Sequence, residues 1–463
     1  MGEPAPLAPV EAGSPSDDVG LDPAVVEAVD AALAAGDHGA ARRTALELHY
    51  SELADLFEAL PHERRIELVD LLRPTFPAAV FAELDENVRD DVAERLGTED
   101  LARTIANLDT DDALYLIDGL GETRRGQVFN AIPRAIRAQL EEQLAFPPES
   151  AGRLMQRDVV AVPAHWDVGR CIDHLRESGD LPDDFYDLFV VDSRHRPVGW
   201  VPLDRFVRAK RPVKIAAILD SDLEAIPVDM DQEAVARLFK DRDLTSAPVV
   251  DAGGRLIGTI TIDDVVDVIE EQAEEDMMRL SGVVGSDVHS SVLETARLRS
   301  VWLLLNLCTA FLAASVIDLF SAAIDRVVAL AVLMPICASL GGNAGTQALT
   351  VAVRAIATGT LSTANAARIV LKEGIVGGLN GFAFAIVTGT AAWLWFHDPR
   401  IGLCIALAMT ANLVVAGVAG VTIPVVLNRV GVDPAVSSSV ILTAMTDTLG
   451  FFMFLGLATL IIL

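Results

Sequence analysis

The stretch Leu333–Val353, LMPICASLGGNAGTQALTVAV, decides how this chain is read. It lies in an apolar run long enough to cross a bilayer, which takes about 20 residues. Yet it carries Pro335, Gly341, Gly342, Asn343, Gly345, Thr346 and Gln347. Lipid offers an amide no hydrogen-bond partner. Polar groups at that depth are tolerated where they face protein or a water-filled cavity. The stretch therefore predicts a membrane helix beside a cavity, and the rest of the chain is read as what builds, feeds or controls it.

Five apolar segments of spanning length occur, near Val301–Phe320, Val327–Val353, Ile375–Phe396, Ile401–Leu427 and Ala435–Leu463. Residues 298–463 carry seven Lys/Arg and six Asp/Glu, a net +1, so the formal −30 of the chain leaves −31 on residues 1–297. An acidic part precedes a nearly uncharged membrane part. Acidic excess argues against binding nucleic acid or anionic lipid headgroups, which need basic surface. A solvated acidic surface and cation binding both remain open. Cys171, Cys308, Cys337 and Cys404 share no CxxC spacing, so neither a disulfide framework nor a zinc site is expected.

The first 20 residues are acidic and proline-rich with no apolar run, which reads as a disordered tail and not a signal peptide. The acidic part is accordingly expected in the cytoplasm. Arg297, Arg299, Arg354, Arg368, Lys372 and Arg429 fall on one side of the spans, and Arg326 and Arg400 on the other. By the positive-inside rule the first group is cytoplasmic and the C-terminus lies outside.

Residues 22–150 read as helical, with a repeat at an offset of 48: Leu53, Leu60, Leu68, Val69 and Leu72 match Leu101, Leu108, Leu116, Ile117 and Leu120. Helix pairs at a fixed period predict a short superhelical array. His38, His49 and His62 are scattered and read as surface residues.

A second repeat has an offset of 59. Asp187-LFVVDSRHRPVGWVPLDRFV matches Ser246-APVVDAGGRLIGTITIDDVV, aligning Asp192 with Asp251, Gly199 with Gly258 and Asp204 with Asp263. Each copy predicts strand, turn, strand, then a helix with the aspartate at its N-cap. Upstream lie amphipathic helices at Val168–Glu177 and Gln232–Lys240. This resembles a tandem pair of CBS domains. Such pairs usually dimerise and often bind adenine nucleotides, so ATP is the ligand the resemblance suggests.

The second copy runs into an acidic helix on which Asp264, Asp267, Glu271 and Glu275 share one face. Like charges at that spacing repel. A solvated face and a face that binds hard divalent cations are both consistent with this pattern. Residues from Asp287 to Arg299 predict a short connecting helix.

Asp447 is the one carboxylate deep inside a span. An aspartate there costs about 3 kcal/mol on insertion scales. The basic residues sit near segment ends, so a cation pathway is preferred to a salt bridge. Ser439, Thr443 and Asp447 form a polar stripe at helical spacing, although the hydroxyls could equally serve helix packing. Asn380, Asn412 and Pro424, with Gly377, Gly378, Gly381, Gly417 and Gly420 around them, read as tight packing.

This order of parts resembles the MgtE family of magnesium channels. PICASLGGNAGTQ (335–347) is similar to that family's second-span signature, and Gly431-VDPA leading to Asp447 to its loop and fifth span. The resemblance implies a mainly α, multidomain chain. Residues 1–21 would form the tail, 22–150 an acidic helical superhelix, 151–213 and 214–273 the α+β CBS pair, 274–300 the linker and connecting helix, and 301–463 five membrane helices. It implies a homodimer in the cell membrane with a pore between second and fifth spans. Asp447 would hold hydrated Mg²⁺, with Ser439 and Thr443 below it and Pro335, Gly341, Gly342, Asn343, Gly345 and Gln347 lining or supporting the pore. Ser439 stands where the family often has Asn.

Regulatory Mg²⁺ would bind at Asp111, Asp231, Glu233, Asp243, Asp264, Asp267, Glu275, Asp276 and Asp433. Gln272 and Tyr115 stand where the family has carboxylates. High internal Mg²⁺ would then shut the pore. Other divalent cations could share the path. Two other classes stay open: a carrier coupling a divalent cation to H⁺ or Na⁺, and a non-transporting CBS sensor. No phosphate-binding loop or nucleophile–base pair points to an enzyme.

Overall fold

The computed structural model describes residues 20–178, 181–182, 185–280, 292–362 and 364–462. They fall into two units, Met1–Glu270 and Glu271–Leu463, each taken by itself.

The first unit opens with helices Pro23–Ala34, His38–Glu47, Tyr50–Ala59, His62–Leu72, Val80–Glu83, Glu86–Ile105, Thr110–Gly119, Glu122–Ala131 and Arg134–Leu144. From His38–Glu47 to Thr110–Gly119 each packs on the next but one. His38–Glu47, His62–Leu72, Glu86–Ile105 and Glu122–Ala131 make one row; Tyr50–Ala59, Val80–Glu83, Thr110–Gly119 and Arg134–Leu144 make the other. This is the expected superhelix. His62 and Thr110 open helices 48 residues apart. Leu53, Leu68, Val69 and Leu72 share one core with Leu101, Leu116, Ile117 and Leu120. Gly97, at φ +77°, breaks Glu86–Ile105, so only its second half corresponds to Tyr50–Ala59.

Two three-stranded sheets follow. One contains β1 (Ala161–Pro163), β2 (Asp187–Val191) and β3 (Pro197–Pro202). The other contains β4 (Ile226–Pro227), β5 (Ser246–Val250) and β6 (Leu256–Thr261). In each, the first pair is parallel and the second antiparallel. Both sheets bulge at the same point, between Val190 and Val191 and between Val249 and Val250. The crossover helices are Val168–Glu177, as expected, and Gln232–Arg242, two residues longer than expected.

The segment leading into each copy pairs with the other copy. Gln156 exchanges backbone hydrogen bonds of 2.8 and 2.9 Å with Thr259 of β6, and Asp220 does the same with Trp200 of β3. Trp200 and Thr259 are equivalent positions of the repeat. The aligned glycines make room for this exchange. A Cβ on Gly258 would lie 2.6 Å from the Gln156 carbonyl oxygen, and one on Gly199 would run into that of Asp220. Asp187 and Ser246, also equivalent, meet between the copies: Ser246 Oγ donates to Asp187 Oδ2 at 2.6 Å.

One expectation is corrected. Asp204 and Asp263 are not N-caps but lie in the first turn of helices Leu203–Arg208 and Ile262–Leu280. Each strand runs straight into its helix, so the last strand residue takes the cap position. Pro202 is the N-cap of the first and makes no side-chain cap bond. In the second, Thr261 donates from N and Oγ1 to Asp264 Oδ2 instead.

Among its described residues the second unit holds five long apolar helices: a first span Val292–Asp318, second Ala329–Ala357, third Ala366–Phe396, fourth Pro399–Arg429 and fifth Pro434–Ile461. The helices overrun the expected apolar segments because helical hydrogen bonding continues into polar ends. Residues 281–291 of the expected connecting region lie outside the described residues, and 292–299 are the start of the first span. A core of Leu330, Leu333 and Cys337, Cys404, Ile405 and Ala408, and Phe454 and Leu455 joins second, fourth and fifth spans. Third and fourth spans approach backbone to backbone: a Cβ on Gly417 would lie 2.6 Å from the Glu373 carbonyl oxygen, and one on Gly402 2.5 Å from that of Gly389.

Candidate functional site

The polar residues of the second span divide between two jobs. Gly341 and Gly345 are buried. The side chain of Asn412, from the fourth span, fills the space a Gly341 Cβ would take, and Leu442 of the fifth span packs against Gly345, 3.1 Å from where its Cβ would be. These two glycines support helix contacts. Gly342 has open space beside it. Pro335, Ser339, Asn343, Thr346, Gln347 and Thr350 are exposed on the surface of the single chain.

The fifth span packs on the second through Leu442, Leu349 and Val353. Thr443 is exposed, and Ser439 and Asp447 are partly so. Thr443 Oγ1 donates to the Ser439 carbonyl at 2.9 Å, leaving its lone pairs free to face outward. No charged group among the described residues acts on the Asp447 carboxylate. Two packed apolar helices thus each carry an exposed polar stripe, one with an unpaired carboxylate. Such a surface is unstable against lipid and calls for protein or water over it.

A second constellation lies in the first unit. The first turn of Thr110–Gly119 presents Asp111 and Asp112 after Asp109, and the first turns of Ile262–Leu280 present Asp263, Asp264 and Asp267. Asp111 faces Asp264. Asp111 Oδ1 accepts from the Asp112 amide at 3.0 Å, while its buried Oδ2 takes no backbone, amide or hydroxyl donor among the described residues. The two side chains lie within hydrogen-bond reach of each other, so a proton carried by one carboxyl can be shared with the other. Burial leads in pushing both carboxyls well above the usual carboxylate range, followed by Asp112 at Asp111 and by Asp111 at Asp264, while the hydrogen bond from Asp264 partly offsets the rise at Asp111. Asp112 is pushed up to about 7 by burial and then by Asp264, Asp109, Asp267 and Glu83. Glu83 and Asp267 are raised as well, burial leading in each. A proton or a hard divalent cation relieves such an arrangement.

The other candidate carboxylates have local roles. Asp231 caps Gln232–Arg242 by accepting from Glu233 and Ala234 N–H, Glu233 sits in that helix's first turn, and Asp243 closes it in the left-handed region at φ +52°. In the second unit, Arg279 Nη1 donates to Asp433 Oδ2 at 2.8 Å and Nη2 to Glu275. Asp433 Oδ1 caps the fifth span by accepting from Ala435 N–H at 2.8 Å. Burial and then Asp433 raise Asp276, which Arg279 partly offsets. A guanidinium thus sits where the sequence suggested a metal. Tyr115 lies under Arg89, whose guanidinium is 4.3 Å from the ring centre. Among the described residues no three His, Cys, Asp or Glu side chains are grouped closely enough to hold a metal ion by themselves.

Sequence reading missed Asp112, Glu83 and Arg279. Asp112 could have been found from the acidic run Asp109–Asp112. Nothing local in the sequence ties Arg279 to Asp433.

The comparisons with known proteins agree with this architecture. The family model for the MgtE intracellular N domain matches residues 48–149, the CBS domain model matches 151–211 and 215–271, and the MgtE divalent cation transporter model matches 334–457. The chain is 30% identical over 442 residues to the magnesium transporter MgtE of Thermus thermophilus, covering 93% of this chain and 97% of that one. The chain belongs to the MgtE family. It is 25% identical to the MgtE magnesium transporter of Bacillus subtilis, over 89% of this chain and 92% of that protein. The crystal structure of the cytosolic domain of the Mg²⁺ channel MgtE in complex with ATP is 29% identical, with a TM-score of 0.49, covering 52% of this chain and 99% of that one. As a member of an MgtE transporter family the chain is a multi-pass membrane protein and not an enzyme.

Proposed function

We propose that this chain is a Mg²⁺-selective channel for magnesium uptake, closed by cytosolic Mg²⁺. The observation that carries the reading is the pair of exposed polar stripes on the packed second and fifth spans, with Asp447 unpaired among them. A second copy would cover them. In such a homodimer two Asp447 carboxylates face one hydrated ion, with Thr443 and Ser439 below and Asn343 and Gln347 alongside. Mg²⁺ gives up water reluctantly and is held through few carboxylates, which suits this donor set. The N-terminal unit lies in the cytoplasm and the C-terminus outside, following the basic residues at the ends of the spans.

For closure, Asp111 and Asp264, with Asp112 and Asp267 beside them, would hold Mg²⁺. The close approach of the buried Asp111 and Asp264 carboxyls supports a cation there, taking the place of the proton they can share. Bound there, Mg²⁺ supplies positive charge that lets the two acidic helix ends stay together. At low Mg²⁺ the carboxylates repel and the closed state loses population. Glu275, Asp276 and Asp433 would add a further site once Arg279 is displaced, and Asp231, Glu233 and Asp243 weaker exposed ones. The CBS pair would take an adenine nucleotide such as ATP.

The test is Mg²⁺ flux through the purified chain in liposomes. Parent flux above carrier rates, abolished in Asp447→Ala, and loss of inhibition by internal Mg²⁺ in Asp264→Ala/Asp267→Ala, are expected. Slow flux coupled to a H⁺ or Na⁺ gradient would replace the channel by a carrier. Unchanged inhibition in the double variant would remove the acidic helix ends as the sensor.

A further inference from the structure

The amide of Asn412 lies where three spans meet. The residue is on the fourth span and is completely buried. Nδ2 donates to the carbonyl of Cys337 on the second span at 3.0 Å. Two glycines make room for it. Gly341, one turn after Cys337, leaves the space that the amide fills, and a Cβ on Gly450 of the fifth span would lie 2.8 Å from Nδ2. One polar side chain is therefore wedged between the second and fifth spans with a glycine on either side.

This is an expensive way to pack apolar helices. Asn412 Oδ1 is buried with no hydrogen-bond partner among the described residues, which costs about 1–3 kcal/mol. What the wedge does provide is register. A hydrogen bond to one carbonyl fixes height as well as distance, whereas apolar contacts let helices slide and rotate. The wedge is close to the polar stripes along both chains. Gly450 follows Asp447 by less than one turn, and Gly341 precedes Asn343 by two residues.

We propose that Asn412 is a positioning residue for ion passage: its amide, tied to the Cys337 carbonyl between Gly341 and Gly450, sets the register of second against fifth span and so places Asp447 relative to the second-span polar stripe. This rests on Asp447 being the pore carboxylate. Asn412 does not touch the ion. It acts through the two helices that carry the polar groups, and a site of this kind tolerates displacements of only about 0.5 Å.

The experiment is ion flux in liposomes with the full-length chain, comparing parent, Asp447→Ala, Asn412→Ala/Gly341→Ala and Gly450→Ala. The double variant replaces the amide with an apolar Cβ in the vacated space, so packing is kept and the tie is lost. Gly450→Ala keeps the amide and pushes on it. For any variant that is monodisperse with parental melting, the maximal Mg²⁺ flux is expected to fall roughly tenfold or more. The ratio of Mg²⁺ to Ca²⁺ flux should fall with it. A merely structural role would move neither once the variant is folded. Parental maximal flux and parental ion ratio in a folded double variant, or in Gly450→Ala where the double variant does not fold, would overturn the proposal. If the parent passes no Mg²⁺, or Asp447→Ala passes it equally well, the pore reading fails first and the positioning role with it. If Asp447→Ala is silent while the Asn412 and Gly450 variants are unaffected, only the role of Asn412 fails.

Discussion

Arg279 and Asp433 are 154 residues apart and joined by a 2.8 Å ion pair between the end of an acidic helix and the N-cap of the fifth span. The same guanidinium holds Glu275. A tethered cation therefore already neutralises two carboxylates that a divalent ion would need. Arg279→Ala should make closure easier, since Mg²⁺ no longer has to displace it. Both partners are about a third exposed, so the pair is worth about 0.2–1 kcal/mol. The internal Mg²⁺ concentration for half-inhibition should fall by up to roughly fivefold. Arg279→Lys keeps the charge but loses the forked contact and should fall in between. A half-inhibition concentration that rises in Arg279→Ala would mean the guanidinium helps closure and does not compete with the cation.

The acidic contact of the first unit should be weakened by alkali. Asp112 is raised to about 7, and Asp111, Asp264, Asp267 and Glu83 are raised too. A folded-state pKa above the unfolded value means the folded chain binds more protons between them. Stability is then full below about pH 4 and is lost as pH rises through about 7. In chelator, hydrogen-exchange protection of residues 110–119 and 262–270 should fall from pH 5 to pH 8. Added Mg²⁺ should restore it at pH 8, do little at pH 5, and release protons as it binds. Protection that rises with pH in chelator would contradict this account.

These two sites show what the chain discloses in one dimension and what it conceals. Apolar runs disclosed all five spans, and the offsets of 48 and 59 disclosed both repeats, because burial imposes periodicity wherever it occurs. The polarity of Asn343, Gln347 and Asp447 was legible because lipid punishes it. The facing of Asp111 and Asp264 was not. Local sequence marks each as a helix-start acid, and only the packing of Thr110–Gly119 near Ile262–Leu280 makes either unusual. Arg279 went unread; it pairs with Glu275 at i,i+4, and nothing local announced Asp433. Asn412 was read as packing; its direction, toward the Cys337 carbonyl, is a property of three helices at once.

Asp187 offers a pH test away from any cation site. Burial raises its carboxyl, while Ser246 and Thr245 hydroxyls lower it and Asp204 raises it further. The raised group contributes stability at acid pH that is lost as pH climbs through its folded value. Asp187→Asn keeps the shape and lets Ser246 Oγ still donate to the side-chain oxygen. The variant should melt higher than the parent at pH 8 and show little difference near pH 4. Equal melting at both would mean the two hydroxyls fully offset the burial.

The glycines of the CBS pair divide into those held by another backbone and those that are not, and alanine separates them. Gly258→Ala would set a Cβ 2.6 Å from the Gln156 oxygen and 2.8 Å from Met155 Sδ. The methionine can move, but Gln156 is fixed by two hydrogen bonds to Thr259. Overpacking of this kind typically costs about 1–3 kcal/mol. Gly199→Ala meets the Asp220 carbonyl in the same way and should behave alike, because the two copies exchange their lead-in segments by one symmetric rule. Gly126 provides the contrast. It lies inside helix Glu122–Ala131 with nothing within 4 Å of its would-be Cβ. Gly126→Ala gains helix propensity and should stabilise by up to about 1 kcal/mol. Denaturant melts of the three variants check the ordering. If Gly258→Ala and Gly199→Ala melt like the parent, the lead-in segments are not held against β6 and β3, and the exchange between the copies does not stabilise the pair.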